Sequence, residues 1–261
     1  EKESILLAIR AIESPRQNYI AEFISYRWRH EIVAGEDPIE AGLRRYYRFA
    51  HESASSGRYN LVVALRIELL NFLKDLEQSN HWRPFIQGLL LVQKVWEKLA
   101  LGESYGADIP QLLQNLETIH GLPVHHKRIL AGFLTVWQGT AIIFSRDLDY
   151  ERARLLLSEA ISSLQIVDSQ EISWFKEVAD SLAHRQLAYL YRVQGQFDLA
   201  IRHFVDALKN SRAIDFYHEE ATLRNDLGYA QMMVGKFQAA RENIEEGDRK
   251  STRLNSSHGK L

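Results

Sequence analysis

Apolar residues recur at helical spacing along almost the entire chain. One clear run, with steps of three to five residues, is Leu182, Leu187, Leu190 and Val193. A second run is Ile201, Phe204, Ala207 and Leu208. We find no convincing alternation of apolar and polar residues and no Asn-Gly or Asp-Gly pair of the kind that marks a hairpin. The pattern therefore predicts an all-α fold.

Turn-forming residues divide this pattern into about a dozen helices of ordinary length. The predicted breaks are at Pro15, Gly35–Pro38, Gly57, Ser79–Asn80, Gly102–Pro110, Gly121–Pro123, Asp147–Asp149, Asp168–Gln170, Gly195, Arg212–Asp215 and Gly235. Because the connections are short, we expect successive helices to lie antiparallel beside one another.

One motif of small and bulky residues recurs in the second half of the chain. The first copy is Leu187, Ala188, Tyr191, Gly195, Ala200, Phe204 and Ala207. The second copy is Leu227, Gly228, Gly235, Ala240, Ile244 and Gly247, and a third, without the turn glycine, is Trp137, Ala141, Phe144, Ala153, Leu157 and Ala160. We expect the small residues at 141, 188 and 228 to let paired helices approach closely, and Gly195 and Gly235 to end the first helix of each pair.

This motif resembles the tetratricopeptide repeat (TPR). The resemblance implies an α-solenoid of antiparallel helix pairs, right-handed as is usual for such arrays. Ala153, Ala200 and Ala240 lie 47 and 40 residues apart, whereas the standard unit has about 34. The longer spacing is similar to that of the helical arrays in bacterial signalling NTPases and maltose-regulator-type transcription activators.

The resemblance divides the chain into three segments. It is good over residues 130–247, whereas 1–129 is expected to form divergent helical pairs, either an adaptor or early repeats. Arg66 there occupies a position where the repeat expects a large apolar residue. Residues 248–258, from Asp248 to His258, back-translate to a common sequencing adapter, so we expect 248–261 to be a non-native tail. The first residue, Glu1, is not a methionine and indicates a cut end.

Composition excludes several classes of function. The chain has no cysteine, so it has no disulfide, thiol nucleophile or Cys-ligated zinc. The net charge of −2 gives no general reason to expect nucleic acid as a partner, and no apolar run is long enough to span a bilayer. No P-loop, GxSxG, HExxH or GxGxxG motif occurs. We therefore expect a cytoplasmic, non-catalytic protein without cofactor or metal, with self-association left open.

Three groups of polar residues invite a chemical interpretation. We interpret the histidines beside Gly121–Pro123 as solvated rather than metal-binding, and the polar runs on predicted helices as hydrated faces rather than acid–base sites. Those histidines are His120, His125 and His126, and those runs are His51-Glu52 and His218-Glu219-Glu220. We interpret the cluster Arg44, Arg45, Tyr46, Tyr47 and Arg48 as a solvated face with buried tyrosines, not as a nucleic-acid site.

The resemblance also implies a binding groove lined by the first helix of each pair. Counted from the small positions 188 and 228, the groove residues are Arg185, Tyr189, Arg192, Asn225, Tyr229 and Met232. The preceding repeat, counted from 141, adds Gln138, Ile142 and Ser145. We expect both tyrosines to be partly exposed, with hydroxyls free of hydrogen bonds within the chain, and Ala188 and Gly228 to be buried. The alternative is that these residues only pack one repeat against the next.

The expected function is protein or peptide binding, as the sensor or assembly region of a larger bacterial signalling or transcription regulator. A free-standing scaffold or peptide receptor is the main alternative. An all-α enzyme is a third class, which the absence of a convergent acid–base set disfavours.

Overall fold

The computed structural model describes residues 37–55, 59–100, 103–145, 149–168, 170 and 172–258. This part of the chain forms ten α-helices, one short 3₁₀ turn (Gly106–Asp108) and no strand, which confirms the all-α prediction. The helices are α1 (Pro38–Ser55), α2 (Tyr59–Asp75), α3 (Arg83–Ala100), α4 (Ile109–Glu117), α5 (Val124–Ile143), α6 (Tyr150–Gln165), α7 (Ser173–Val193), α8 (Phe197–Ala213), α9 (Tyr217–Met233) and α10 (Phe237–His258). The predicted breaks at Pro15, Gly35 and Gly57 lie outside the described residues. No helix in the described ranges combines the length and the apolar character that a membrane span requires.

The chain forms two compact units, residues 1–130 and 131–261. In the first unit, α1 packs on α2 and α2 on α3 around buried aromatic side chains. Both tyrosines of the basic cluster are buried, as predicted, and the Tyr46 hydroxyl donates to Gln93 Oε1 at 2.8 Å. Arg66 is tolerated at its expected apolar position because its guanidinium lies 3.0 Å from Glu97.

Two histidines of the first unit are buried, so their interpretation as solvated residues was wrong. His126 is 1% exposed and stacks on Trp82, with the edge of Phe85 against its ring. His51 is likewise buried, against Tyr47 and Trp96. Burial, with smaller repulsion from His125 and His81, lowers the pKa of His126 to about 4.

The pKa of His126 predicts acid sensitivity. The folded pKa of about 4 lies below the ordinary histidine value of 6.5, so the unfolded chain binds this proton first, and stability falls as pH drops from about 6.5 towards 4. Between pH 7 and 4.5, the wild type should lose about 2 kcal/mol more than His126→Phe, which keeps an aromatic ring. Urea titrations at each pH test this, with His120→Gln as the control at an exposed histidine. Parallel curves for wild type and His126→Phe would contradict it.

The second unit is a run of helices that pack in sequence order, α6 on α7, α7 on α8, α8 on α9 and α9 on α10. A continuous core joins α7, α8 and α9. Its buried members are Ala188, Ala200, Phe204, Ala207, Leu208, Leu223, Leu227 and Ala230. This arrangement is the predicted α-solenoid of helix pairs.

Left-handed residues end the helices where the sequence predicted. Gly195 (φ +73°) follows α7 and Gly235 (φ +78°) follows α9, each in the region that favours glycine. The next amide closes the turn, since Gln196 N–H donates to Tyr191 C=O at 2.8 Å and Lys236 N–H to Gln231 C=O at 2.9 Å. Asp215 (φ +53°) ends α8 in the same way.

Small residues lie at the closest contacts between paired helices. Ala188 is fully buried, and a Cβ on Gly228 would lie 2.6 Å from Ile244 Cγ1, so both predicted positions are confirmed. The prediction for Ala141 was wrong, because Gly139 occupies that contact, with its Cβ position 2.9 Å from Leu157 Cγ. The cause is the connection: residues 144–149 join α5 to α6, whereas only 194–196 join α7 to α8.

The last helix continues into the segment that we expected to be a non-native tail. Helix α10 runs without a break from Phe237 to His258. Lys250 Nζ lies 2.5 Å from Glu220 Oε2, and the same ammonium lies over the ring of Tyr217. Lys250 therefore contacts α9, whereas the non-native origin of residues 248–261 stays a prediction.

Candidate protein-binding face

The first helices of two successive pairs, α7 and α9, present the six predicted groove residues. Positions 185, 189 and 192 share one side of α7, and 225, 229 and 232 share the corresponding side of α9, because residues four and seven apart coincide on a helix. We call this set the A-helix face: Arg185, Tyr189, Arg192, Asn225, Tyr229 and Met232. Tyr189 is half-buried and Tyr229 is 42% exposed, as the predicted register requires.

The rings and cations of this face form a continuous row across three helices. The Arg192 guanidinium carbon lies 4.6 Å from the ring centroid of Tyr189 and 5.4 Å from that of Tyr229. Phe144, which follows α5, continues the row with its ring centroid 5.2 Å from that of Tyr189. We call these four residues the aromatic ladder. Phe144 is 62% exposed, so the ladder ends on a large apolar surface.

The two arginines of the face already have acidic partners on α9. Arg185 Nη1 donates to both carboxylate oxygens of Glu219, at 3.2 and 3.1 Å, and its Nε lies 3.9 Å from Asp226. Arg192 Nη1 donates to Asp226 Oδ1 at 2.8 Å. Burial disfavours the charged form of Arg185, but the attraction of Glu219 and Asp226 outweighs it and raises the pKa. These arginines therefore join one repeat to the next, which was the alternative interpretation of the face.

The remaining two residues of the face differ in role. Asn225 is exposed, but its Oδ1 lies against Gly247 of α10, 2.5 Å from where a Cβ on that glycine would be. It therefore contacts the second helix of its own pair. Met232 is 43% exposed beside exposed Met233, and together they extend the apolar surface beyond Tyr229.

The face does not continue onto α5 in the predicted register. Counted from Gly139 instead of Ala141, the positions equivalent to 185, 189 and 192 are Val136, Thr140 and Ile143, all of which are buried. The predicted residues Gln138, Ile142 and Ser145 are half-buried and lie two positions away. This repeat instead contributes Phe144 to the exposed surface beside the A-helix face.

Sequence reasoning missed three residues that shape the face: Phe144, Glu219 and Asp226. Glu219 is fully buried and Glu220 almost so, which makes the interpretation of this run as a hydrated polar face wrong. A signal was present, because Glu219 and Asp226 are seven residues apart, as are Arg185 and Arg192. Residues seven apart lie on one side of a helix, so two such pairs of opposite charge meet where their helices pack together.

A cleft in the first unit offers little support for the enzyme alternative. It has a volume of about 360 Å³ and lies between α3 and α4. Of its five charged lining residues, Lys94, Glu97, Lys98, Glu103 and Asp108, two form an ion pair with each other, Lys98 and Asp108. Burial raises the pKa of Tyr105 to about 12, so this phenol is not a base at neutral pH.

A family match supports the repeat assignment over part of the chain. A sequence model of the tetratricopeptide repeat family matches residues 179–247, which lie in α7 to α10. No curated protein sequence matches the chain. Among solved structures, the crystal structure of BtubC (BKLC) from P. vanneervenii is similar, with 15% identity and a TM-score of 0.49. The match covers 95% of this chain and 92% of that chain.

The matched repeat and the helix pairs together define a TPR-like helical array. Repeats of this class generally mediate protein–protein interactions as scaffolds, and the family is generally non-catalytic.

Proposed function

We propose that the A-helix face binds a segment of a partner protein that carries apolar or aromatic side chains. The observation that carries this proposal is the aromatic ladder, an exposed row of rings on the face where the TPR resemblance places a ligand groove. Tyrosine provides a large contact area at a low cost in conformational entropy, because only two of its torsions must be fixed.

The charged residues of the A-helix face are already paired, which disfavours binding of a partner through its charges. Arg185 and Arg192 are neutralised by Glu219 and Asp226, so an acidic peptide would have to compete with ion pairs that already exist. Among the described residues, neither Tyr189 nor Tyr229 uses its hydroxyl in a hydrogen bond, so both can bond a peptide backbone. Binding should therefore depend on apolar contact and change little with salt.

Selection from a display library of random peptides tests this proposal. We expect the recovered peptides to share aromatic or large apolar residues without enrichment in Asp or Glu, and to bind equally well in low and high salt. Selection of acidic peptides whose binding weakens strongly with salt would contradict the proposed chemistry.

We further propose that the array is the cytoplasmic sensor or assembly region of a larger bacterial signalling or transcription regulator. The support is the 40-residue spacing between Ala200 and Ala240, which resembles the arrays of such regulators. A P-loop or helix-turn-helix module in the same complete reading frame would agree with this proposal. A reading frame that encodes only helical repeats would favour the free-standing scaffold or peptide receptor.

A further inference from the structure

Three metal-ligating side chains meet between α7 and α8, on the side of α7 away from the A-helix face. They are His184 of α7 and His203 and Asp206 of α8, and one possible ligand atom from each lies within 4.8 Å of the other two. The Nδ1 atoms of the two histidines are 2.9 Å apart, and His184 Nδ1 lies 4.0 Å from Asp206 Oδ2. Sequence analysis did not find this cluster, because His184 precedes His203 by 19 residues and Asp206 by 22 and lies on a different helix.

The surrounding residues orient these rings. The ring of His203 stacks on Tyr191 with an interplanar angle of 13°. Asp180, one turn before His184, has Oδ1 3.9 Å from His184 Nε2, while its Oδ2 accepts a hydrogen bond from Asn210. Asp180 Oδ1 is buried and accepts no hydrogen bond from the described residues. A metal-binding histidine usually has a carboxylate near the ring nitrogen that does not bind the metal, while its other nitrogen faces the metal.

We propose that His184, His203 and Asp206 bind a divalent transition-metal ion, Zn²⁺ in the first instance, that joins α7 to α8. Two imidazoles and one carboxylate suit this class of ion, whereas Mg²⁺ and Ca²⁺ prefer oxygen ligands alone. Asp180 lies behind His184 and positions it without reaching the metal. Because the side chain of Asp206 is 55% exposed, solvent reaches the cluster and water supplies the fourth ligand.

The distances between the ligand atoms need only a small adjustment, and the two rings turn towards a common point. Zn–N bonds of about 2.0–2.1 Å in a tetrahedral site place two nitrogens about 3.3 Å apart. The two Nδ1 atoms therefore move apart by roughly 0.4 Å from their hydrogen-bonded distance. Asp206 has to approach by a somewhat larger amount, and its exposure permits a change of rotamer.

Burial of the cluster favours the neutral form of both histidines. Burial lowers the pKa of His184, and burial together with repulsion from His184 lowers that of His203. Asp206 faces both rings and opposes these shifts, but less strongly. The neutral imidazole is the form that binds metal.

Calorimetric titration of the full chain with Zn²⁺ tests the assignment, with His203→Gln and Asp206→Asn as ligand variants. We expect one Zn²⁺ per chain, an affinity lowered about a hundredfold or more by His203→Gln, and one lowered at least about tenfold by Asp206→Asn. His120→Gln, the same change at an exposed histidine, should leave the affinity unchanged. Co²⁺ should give the visible absorption of a four-coordinate site, which Zn²⁺ abolishes and Mg²⁺ does not.

Melting curves recorded without metal show whether each variant is folded. If His203→Gln does not fold, Asp206→Asn still tests the site, because Asp206 is exposed. Absence of Zn²⁺ binding would overturn the proposal. Unchanged affinity in a folded ligand variant, or loss of binding in His120→Gln, would overturn it equally. Because this cluster and the A-helix face share no residue, the metal titration and the peptide-binding experiment test separate proposals.

Discussion

Arg185→Ala is expected to lower the free energy of unfolding by about 3 kcal/mol, because it removes the guanidinium that pairs with the buried carboxylate of Glu219. Glu219 is fully buried, and Arg185 donates to both of its oxygens. The effect falls at the lower end of the range for broken buried pairs since the Arg185 side chain is 25% exposed. Urea denaturation of the wild type and the variant measures it.

The double variant Arg185→Met with Glu219→Leu is the informative control. Removing both charges removes the desolvation cost with them, so most of the lost stability should return. If Arg185→Ala melts like the wild type, the ion pair does not join the repeats, and Arg185 becomes available for a partner.

Gly228→Leu is the second change with a large expected effect, a loss of about 3 kcal/mol. A Cβ at this position would already lie 2.6 Å from Ile244 Cγ1 and 3.0 Å from the backbone oxygen of Ala240. Because one of these neighbours is backbone, side-chain rotation cannot relieve the clash, and α9 and α10 must move apart. Thermal unfolding followed by circular dichroism measures the effect.

Gly195→Val provides the comparison. Gly195 has φ +73° but nothing within 4 Å of an added Cβ, so its cost is backbone strain alone, about 1 to 2 kcal/mol. Gly228→Leu should therefore be the more destabilising change. Equal or reversed effects would mean that the close contact between α9 and α10 relaxes without loss.

Local signals account for most of what the sequence predicts correctly. Helical periodicity and the glycines at 195 and 235 place α7 to α10 and their turns, because helix ends depend on nearby backbone conformation. The register of α5 fails because the motif assumes a fixed connection length, and residues 144–149 exceed it. The 12-residue spacing between Ala141 and Ala153 equals that between Ala188 and Ala200, so it does not reveal the longer connection.

The parts of the site that sequence reasoning missed are tertiary. The six residues of the A-helix face follow from periodicity, but the partners of Arg185 and Arg192 lie on another helix and depend on how α7 packs on α9. Similarly, His184 and His203 face each other only because α7 and α8 form a pair. A polar run such as His218-Glu219-Glu220 looks hydrated until the arginines that neutralise it are known.

Binding of a selected peptide to Tyr189→Ala/Tyr229→Ala tests most directly whether the A-helix face is a protein-binding surface. We expect at least a tenfold loss of affinity, since each ring contributes on the order of 1 kcal/mol, with a melting temperature close to that of the wild type. Tyr217→Ala is the matched control, because Tyr217 is a similarly exposed tyrosine of α9 on another side of the helix. Equal affinity in the wild type and the double variant, or the same loss in Tyr217→Ala, would contradict the account.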